Sequence, residues 1–389
     1  MKYRQFFWLP VLALLCGAVQ AQQSQTDERE TAYFETGLGY QQWKVQPNYE
    51  PMTQLSMPFK LVFPMGQRMM VNIANTPAVS WWTEDRRITG LSDTWIQANY
   101  EIKRDRLVLN AGIGLPTGKT KLDTNQYDFS KAILRRNIFK YTLPLYGQGL
   151  NLKMGLMSAI PVGKNVVIGF GAQYITHSAY QPVIYDYTYV GLNGQNEDGH
   201  FDADYKVGDE FTAQFGVDFM PVEKLRIAVD ALYTYYWRDL LNDKEVYGAG
   251  GKFSMNLDAM YRFGLERYVW THMVYRQHGK NELLQGVSLQ PEVVNSNGSQ
   301  FEMDVEANVM SDEFNGIHFL TSFRYYGKAK TDNALTQQVL GLGVGSRLKT
   351  SDRMMFKIRF KYLFGSIKSD LASSKILGLE TFISMLYTF

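Results

Sequence analysis

The sequence has one cysteine, Cys16, and it lies near the start of the chain. With no second cysteine there is no disulfide framework, and a chain that loses its first residues keeps no thiol catalyst or thiolate metal site. After residue 21 no apolar run approaches the roughly 20 residues that a membrane-crossing helix needs, which excludes a helical membrane protein. Neither sign of charge prevails. Lys and Arg number 40 and Asp and Glu 38, a net charge of +2, which makes no case for nucleic acid or for an acidic partner. No cofactor or metal site is expected from this composition. Aromatic residues are abundant, with 25 Tyr, 23 Phe and 7 Trp.

The first residues have the layout of a secretory signal. MKYRQ carries two positive charges, FFWLPVLALLCGAV is too short to span a bilayer, and Val19-Gln20-Ala21 puts small residues where a signal peptidase reads them. Residues 1–21 are therefore expected to be removed, with a short segment, 22–30, before the first strand. A lipoprotein signal is disfavoured because Leu15, not a small residue, precedes Cys16.

From there the chain repeatedly shows period 2, the signature of a strand with two unlike faces. Phe211, Ala213, Phe215, Val217 and Phe219 alternate with Thr212, Gln214, Gly216 and Asp218. The same rhythm runs through 225–237, 252–263, 301–309 and 356–364. These runs reach the roughly 9–11 residues of a tilted transmembrane strand, beyond the usual five or six of a soluble one. Trp43, Trp81, Trp82, Tyr180, Tyr235, Tyr236, Trp237, Tyr325 and Tyr326 fall at their ends, as an interfacial aromatic girdle does.

Short connections at 65–68, 103–106, 162–165, 222–224, 265–267, 315–316 and 350–352 alternate with longer ones. The longer ones are at 46–54, 83–90, 116–147, 180–207, 239–245, 280–298, 331–336 and 368–375. That asymmetry predicts an all-β, antiparallel, up-and-down transmembrane barrel over 31–389. The count gives 16 strands, and merging one hairpin gives 14. The chain ends ETFISMLYTF, with Phe389, Tyr387, Met385 and Ile383 on one face. Tyr387 and Phe389 are similar to the terminal sorting signal that the barrel assembly machinery reads. Outer-membrane lipid and lipopolysaccharide, that machinery and a small-molecule solute are the expected partners. Oligomeric state stays open.

With apolar faces outward, the opposite faces line a lumen. Glu302, Asp304 and Glu306 make an acidic ladder, and Lys357, Arg359 and Lys361 a basic one three strands later, with His318 and Arg324 between them. Gly341, Gly343 and Gly345 share one inward face. Two readings follow: separated patches acting on a polar solute, or charges that pair across neighbouring strands.

The loop 116–147 has a helix-like centre, SKAILRRNIFKY, with Ser130 a candidate cap. Ile133, Leu134, Ile138 and Tyr141 lie near one face, and Lys131, Arg135, Arg136 and Lys140 near another. A loop of this length with its own structure is usually functional. It is expected either to narrow the pore with a cationic surface or to cap the barrel outside. In the loop 180–207, Asp198, Asp202 and Asp204 lack the spacing of a calcium loop.

GLSDTWIQANYEI (90–102) and RLVLNAGIGLPTGKTKLD (106–123) resemble outer-membrane proteins of the meta-pathway phenol-degradation family. Gly90, Asp93 and Thr94 match its Gly-x-x-Asp-Thr, and Leu115, Pro116, Thr117 and Gly118 its Leu-Pro-Thr-Gly. The resemblance covers about 35 residues and implies a channel for hydrophobic and aromatic compounds. The chain is also distantly similar to the long-chain fatty-acid channels, which carry an N-terminal plug. Only about ten residues separate Ala21 from a first strand at Thr31, so no such plug is expected. An enzyme is not expected. Barrel hydrolases need a His beside a Ser or carboxylate, and NYEP (48–51) has no His-x-Ser after it. A passive channel for small hydrophobic or aromatic, or anionic, solutes is the primary reading; a surface adhesin or assembly partner is the alternative.

Overall fold

In hydrocarbon, a strand must have every backbone N–H and C=O paired by its neighbours, because there is no water to pair them. The computed structural model meets this demand by closure. It describes residues 31–389 except 47–49, 85, 135–136, 142–148, 183, 191–195, 265, 313, 330–334 and 370–371. Of 131–134, 137, 184–190 and 196–202 it describes the backbone alone.

Sixteen antiparallel strands form one closed barrel. They are β1 (Tyr33–Val45), β2 (Met52–Ser56 and Phe59–Met65), β3 (Met69–Asn75 and Ala78–Trp81), β4 (Arg87–Gly90 and Thr94–Lys103) and β5 (Leu107–Leu115). After helix α1 (Thr124–Leu134) come β6 (Asn151–Val162), β7 (Val166–His177), β8 (Glu210–Val222), β9 (Leu225–Tyr236), β10 (Lys252–Arg262) and β11 (Tyr268–His278). The last are β12 (Gln300–Ser311), β13 (Asn315–Tyr326), β14 (Thr336–Ser351), β15 (Met354–Lys368) and β16 (Ser373–Thr388). Each pairs with its neighbours in sequence, and β16 returns to β1 in an unbroken register from Tyr33↔Thr388 to Val45↔Ile376. The Phe389 N–H then donates to the Ala32 carbonyl at 2.9 Å.

Two prolines interrupt strands without opening the wall. Pro58 and Pro77 cannot donate, yet their carbonyls accept from Gly37 N–H at 3.1 Å and Met57 N–H at 2.8 Å. Between β3 and β4 the register slips by one residue, and a knot of side chains closes the slip. Asn75 Nδ2 donates to the Ser92 carbonyl (2.8 Å) and Thr94 Oγ1 (2.7 Å). Thr117 Oγ1 donates to the Ser92 carbonyl at 2.8 Å, and Gly118 N–H donates to Asp93 Oδ1 at 3.0 Å. The two halves of the motif carrying the family resemblance are therefore bonded to each other.

The expected outward faces are outward. Ile358, Phe360, Tyr362, Phe319, Leu342 and Val344 are each about half exposed, a belt of apolar surface that only lipid can cover favourably. The aromatic girdle needs correction. Tyr235 and Trp237 face out with ring centroids 5.0 Å apart, whereas Trp43 and Tyr326 are buried inside and Tyr236 lines the lumen. Consecutive aromatics in a strand must point to opposite faces, so the pairs 235/236 and 325/326 divide. At the long-loop end Tyr205–Lys206, Arg238–Leu241, Lys244–Gly248, Glu282–Gln285 and Ser288–Pro291 form a five-stranded sheet above the wall. Asp239 ties it to the barrel by accepting from Gly208 N–H at 2.7 Å and from the Tyr205 hydroxyl.

The lipid face yields a direct test. Phe360 lies near the middle of β15, and Phe360→Arg should cost about 2–4 kcal/mol in reversible urea unfolding from lipid vesicles, with Phe360→Leu costing far less. Equal costs would contradict an outward position for this side chain.

Candidate functional site: a lumen filled along one wall

The loop between β5 and β6 enters the barrel. Its helix α1 starts earlier than the pattern suggested, because Asp123 and not Ser130 caps it. Asp123 Oδ1 accepts from Gln126 N–H at 2.8 Å, and Gln126 Oε1 accepts from Asp123 N–H at 3.4 Å, a capping box. Ser130 lies within the helix and donates to the Tyr127 carbonyl at 2.8 Å. A short 3-10 turn, Asn137–Phe139, follows.

Apolar burial holds this segment against one wall. Leu122, Phe129, Ile138, Phe139 and Tyr141 form one buried cluster with Trp43, Met52, Ile88, Tyr326, Val339, Leu363, Ile367 and Ile376 from β1, β2, β4 and β13–β16. Phe139 packs on Trp43 with ring centroids 5.1 Å apart. Tyr141 donates its hydroxyl to the Met52 carbonyl at 2.6 Å, and burial raises that hydroxyl well above its ordinary range, so it stays a donor.

The lumen charges lock the same segment. Arg324 is buried, donates from Nη1 to the Ile138 carbonyl at 2.9 Å and from Nη2 to Glu380 Oε1 at 2.9 Å. Its guanidinium also lies 5.9 Å from the Trp43 ring. Lys140 forms an ion pair with Glu302, which also accepts from Arg276 Nη1 and the Tyr326 hydroxyl at 2.8 and 2.9 Å. Arg359 reaches Glu306 at 3.4 Å, while Lys361 lies 3.9 Å from Asp304 and 3.5 Å from Glu380. His318 Nδ1 lies 2.9 Å from Glu306. Lys357 is half-buried on the same inward face of β15.

The two ladders are thus not separated patches, and the pairing reading is the one the geometry supports. These pairs span β13 and β14, and the inward glycines of β14 clear the first part of that path. A Cβ at Gly343 would lie 2.6 Å from Lys361 Cγ, and one at Gly345 3.5 Å from Arg359 Cγ. The basic side chains lie in the trough these glycines leave. Of the loop cations expected at the pore, Lys140 is placed. Arg135 and Arg136 fall outside the described residues, as does the Lys131 side chain. Asp198 and Asp202 likewise have no described side chain, and among the described residues no group of acids and histidines can hold a metal ion.

The opposite wall is open. A cavity of about 340 Å³ runs along β5–β10, lined by Asn110, Gln173, Gln214, Thr212, Thr234 and Ser254, with Glu210, Tyr236 and Lys252 at its long-loop end. Met157 and Leu232 are its larger apolar members. In the sequence Thr212 and Gln214 stand out only as polar alternates of one strand, and the others carry no motif. Their signal was present as the polar, small or amide alternates of β7–β10, opposite the apolar ones. Glu380, the partner of Arg324, was read only as one alternate of the final strand.

A closed barrel with an apolar exterior and a charged lumen is a transmembrane β-barrel of the outer-membrane type. No protein-family model matches the sequence, and no curated protein matches it. Among solved structures it is similar in fold to the monoaromatic hydrocarbon channel CymD, at 13% identity over 93% of this chain and 89% of that one, with a TM-score of 0.45. An outer-membrane channel from Pseudomonas putida F1 is similar at 9% identity over 94% and 100%, with a TM-score of 0.37. A bacterial polysaccharide outer-membrane secretin is similar at 10% identity over 94% and 100%, with a TM-score of 0.47.

Arg324 offers the sharpest test of the lumen network. Removing one partner of a buried ion pair costs about 3–5 kcal/mol, whereas replacing both with apolar groups can be near neutral. Arg324→Leu should therefore lower the unfolding midpoint in detergent markedly, and Glu380→Leu added to it should recover only part of the loss, because the Ile138 carbonyl stays unpaired and Lys361 loses Glu380. An unaltered midpoint in the single variant would show that Arg324 does not hold the segment.

Proposed function

We propose that this barrel is a passive outer-membrane channel for small solutes, narrowed from within by the segment 116–147. The observation that carries the reading is the unequal filling of the lumen. One wall holds an anchored segment through apolar burial and ion pairs, and the other keeps a polar cavity. A barrel of this strand number is wide enough for an aqueous path. The segment leaves a lane instead of a full bore, which suits selective diffusion of small molecules.

No chemistry is assigned to the lumen. His177 Nδ1 lies 2.6 Å from Asn151 Oδ1, and His272 Nδ1 lies 2.9 Å from Asp258 Oδ1. Neither stands beside a serine nucleophile in these contacts. The resemblance of 90–102 and 106–123 to the meta-pathway family supports small aromatic compounds as cargo. The lane's hydroxyl and amide lining favours those that also carry a polar group. Sorting by Tyr387 and Phe389 and contact with lipopolysaccharide belong to the same proposal. The two terminal rings are 5.2 Å apart, edge to face, and Phe389 is exposed.

Deleting 124–141 removes α1, the 3-10 turn and the Lys140 and Tyr141 anchors. Single-channel conductance in planar bilayers should then rise severalfold. A correctly inserted deletion variant with the parent conductance would refute the narrowing, and an inserted parent that never conducts would favour an adhesin or assembly role instead.

A further inference from the structure

Among the described residues, the lumen carboxylate of Asp230 has no ion-pair partner and an unbonded Oδ2. Asp230 stands midway along β9, two residues from Leu232 of the open cavity. It is 8% exposed, its Oδ2 makes no hydrogen bond, and it forms no ion pair among the described residues. The carboxylate lies flat on β8. A Cβ at Gly216 would sit 2.2 Å from its Oδ1, so only glycine there leaves room for it.

Two further carboxylates flank it. β8 pairs Gly216 with Asp230 and Asp218 with Ala228, and β10 pairs Asn256 with Asp230 and Asp258 with Ala228. Asp218 and Asp258 are therefore its diagonal neighbours on the inward face, one from each side. Each is already engaged. Arg226 donates from Nε to both Asp218 oxygens at 3.1 Å and from Nη2 at 2.8 Å, and His272 holds Asp258. With all three carboxylates ionised, Arg226 leaves a formal charge of −2 with His272 neutral and −1 with it protonated. Arg262 lies farther along β10 toward the short-turn end. The cations Lys140, Arg324, Arg359 and Lys361 are paired on the other wall.

A buried carboxylate without a counter-charge is costly, and the cost is relieved either by a proton or by a cation from the lumen. Carboxylates lining a pore select cations. We propose that Asp230, with Asp218 and Asp258, forms a site for a small hydrated monovalent cation just beyond the open lane, on its short-turn side, and makes the channel cation-preferring. The ion is held by the field of the carboxylates, since no group among the described residues converges closely enough to ligate a metal. The proposal rests on the channel reading and names the sign of charge that the lane admits. That sign is opposite to the anion preference a cationic loop would give.

The test places a reporter in the lane. Leu232→Cys, made with Cys16→Ser so that it is the only thiol, is modified with a positively charged ethylammonium and a negatively charged ethylsulfonate methanethiosulfonate. Rates are normalised to a free thiol. The cationic reagent should be favoured, and adding Asp230→Asn should lower the rate ratio about tenfold, since one charge about 6 Å away shifts each ion roughly threefold in water. A ratio that Asp230→Asn leaves unchanged overturns the site. Should that variant not fold, Asp258→Asn must lower the ratio, and an unchanged ratio there overturns it equally. In a KCl gradient across a bilayer, the reversal potential should show potassium preference that Asp230→Asn moves toward zero; anion preference in the parent overturns the proposal. A protein that does not conduct but keeps the charge-dependent labelling removes the channel reading and leaves the cation site standing.

Discussion

Every other feature of this molecule follows from one constraint: a sheet in hydrocarbon may have no unpaired edge. β16 must end where β1 begins, and the register from Tyr33↔Thr388 to Val45↔Ile376 shows that it does. The same constraint governs the irregular places. Pro58 and Pro77 remove donors, yet the neighbouring strands still donate to their carbonyls. The slip between β3 and β4 is sealed by Asn75, Ser92, Asp93, Thr94, Thr117 and Gly118. Those motif residues also fix the point where the chain leaves β5 for the lumen. A structural seal and the root of the functional segment are thus one hydrogen-bonded unit.

Closure then separates two solvents, and the lumen has to be organised without water-free packing around its whole circumference. The chain organises one wall only. Trp43 and Phe139 supply apolar area, Arg324 satisfies the Ile138 carbonyl, and Glu302, Glu306 and Glu380 each find cations. Pairing of this kind contributes little net stability by itself, because desolvation offsets much of the attraction. Its value here lies in position. The partners fit only when the segment lies along β13–β16, so the charges specify where it rests while apolar burial supplies the adhesion.

Much of this was legible in the sequence because lipid and water impose period 2 so strictly. The strand count, the seven short turns and the outward faces follow from it, and the residues of β15 illustrate why. Phe360 and Lys361 have no common environment except a wall with oil on one side and water on the other. What was illegible needed distance. Nothing in the order of residues says that Lys361 reaches Asp304 across β13 and β14. Gly343 and Gly345 signalled space there, though not what fills it. Trp43 and Tyr326 matched the girdle in position along the strand and failed in face. The Asp123-x-x-Gln126 capping box was present in the sequence, but Ser130 stood nearer the apolar stretch and drew the helix start toward itself. Asp230 carries no signal in the sequence beyond its place in the period-2 run 225–237, since its isolation depends on which cations the neighbouring strands spend elsewhere.

The distribution of charge joins these points into one account of function. The lumen has enough basic residues to attract anions, and a reading from composition would stop there. Geometry withdraws them one by one: Lys140 to Glu302, Arg359 to Glu306, Lys361 to Asp304 and Glu380, Arg324 to Glu380. Across the lumen, Glu210 and Lys252 stand together at the mouth of the lane, and Asp230 stands below them with no ion-pair partner among the described residues. A solute entering the lane meets mostly amides and hydroxyls, then a net negative field. The segment proposed to narrow the pore and the field proposed to sort what passes are therefore on opposite walls. Anchoring pairs Lys140, Arg324, Arg359 and Lys361 on one wall, and on the proposed reading the balance beyond Glu210 and Lys252 in the lane is acidic.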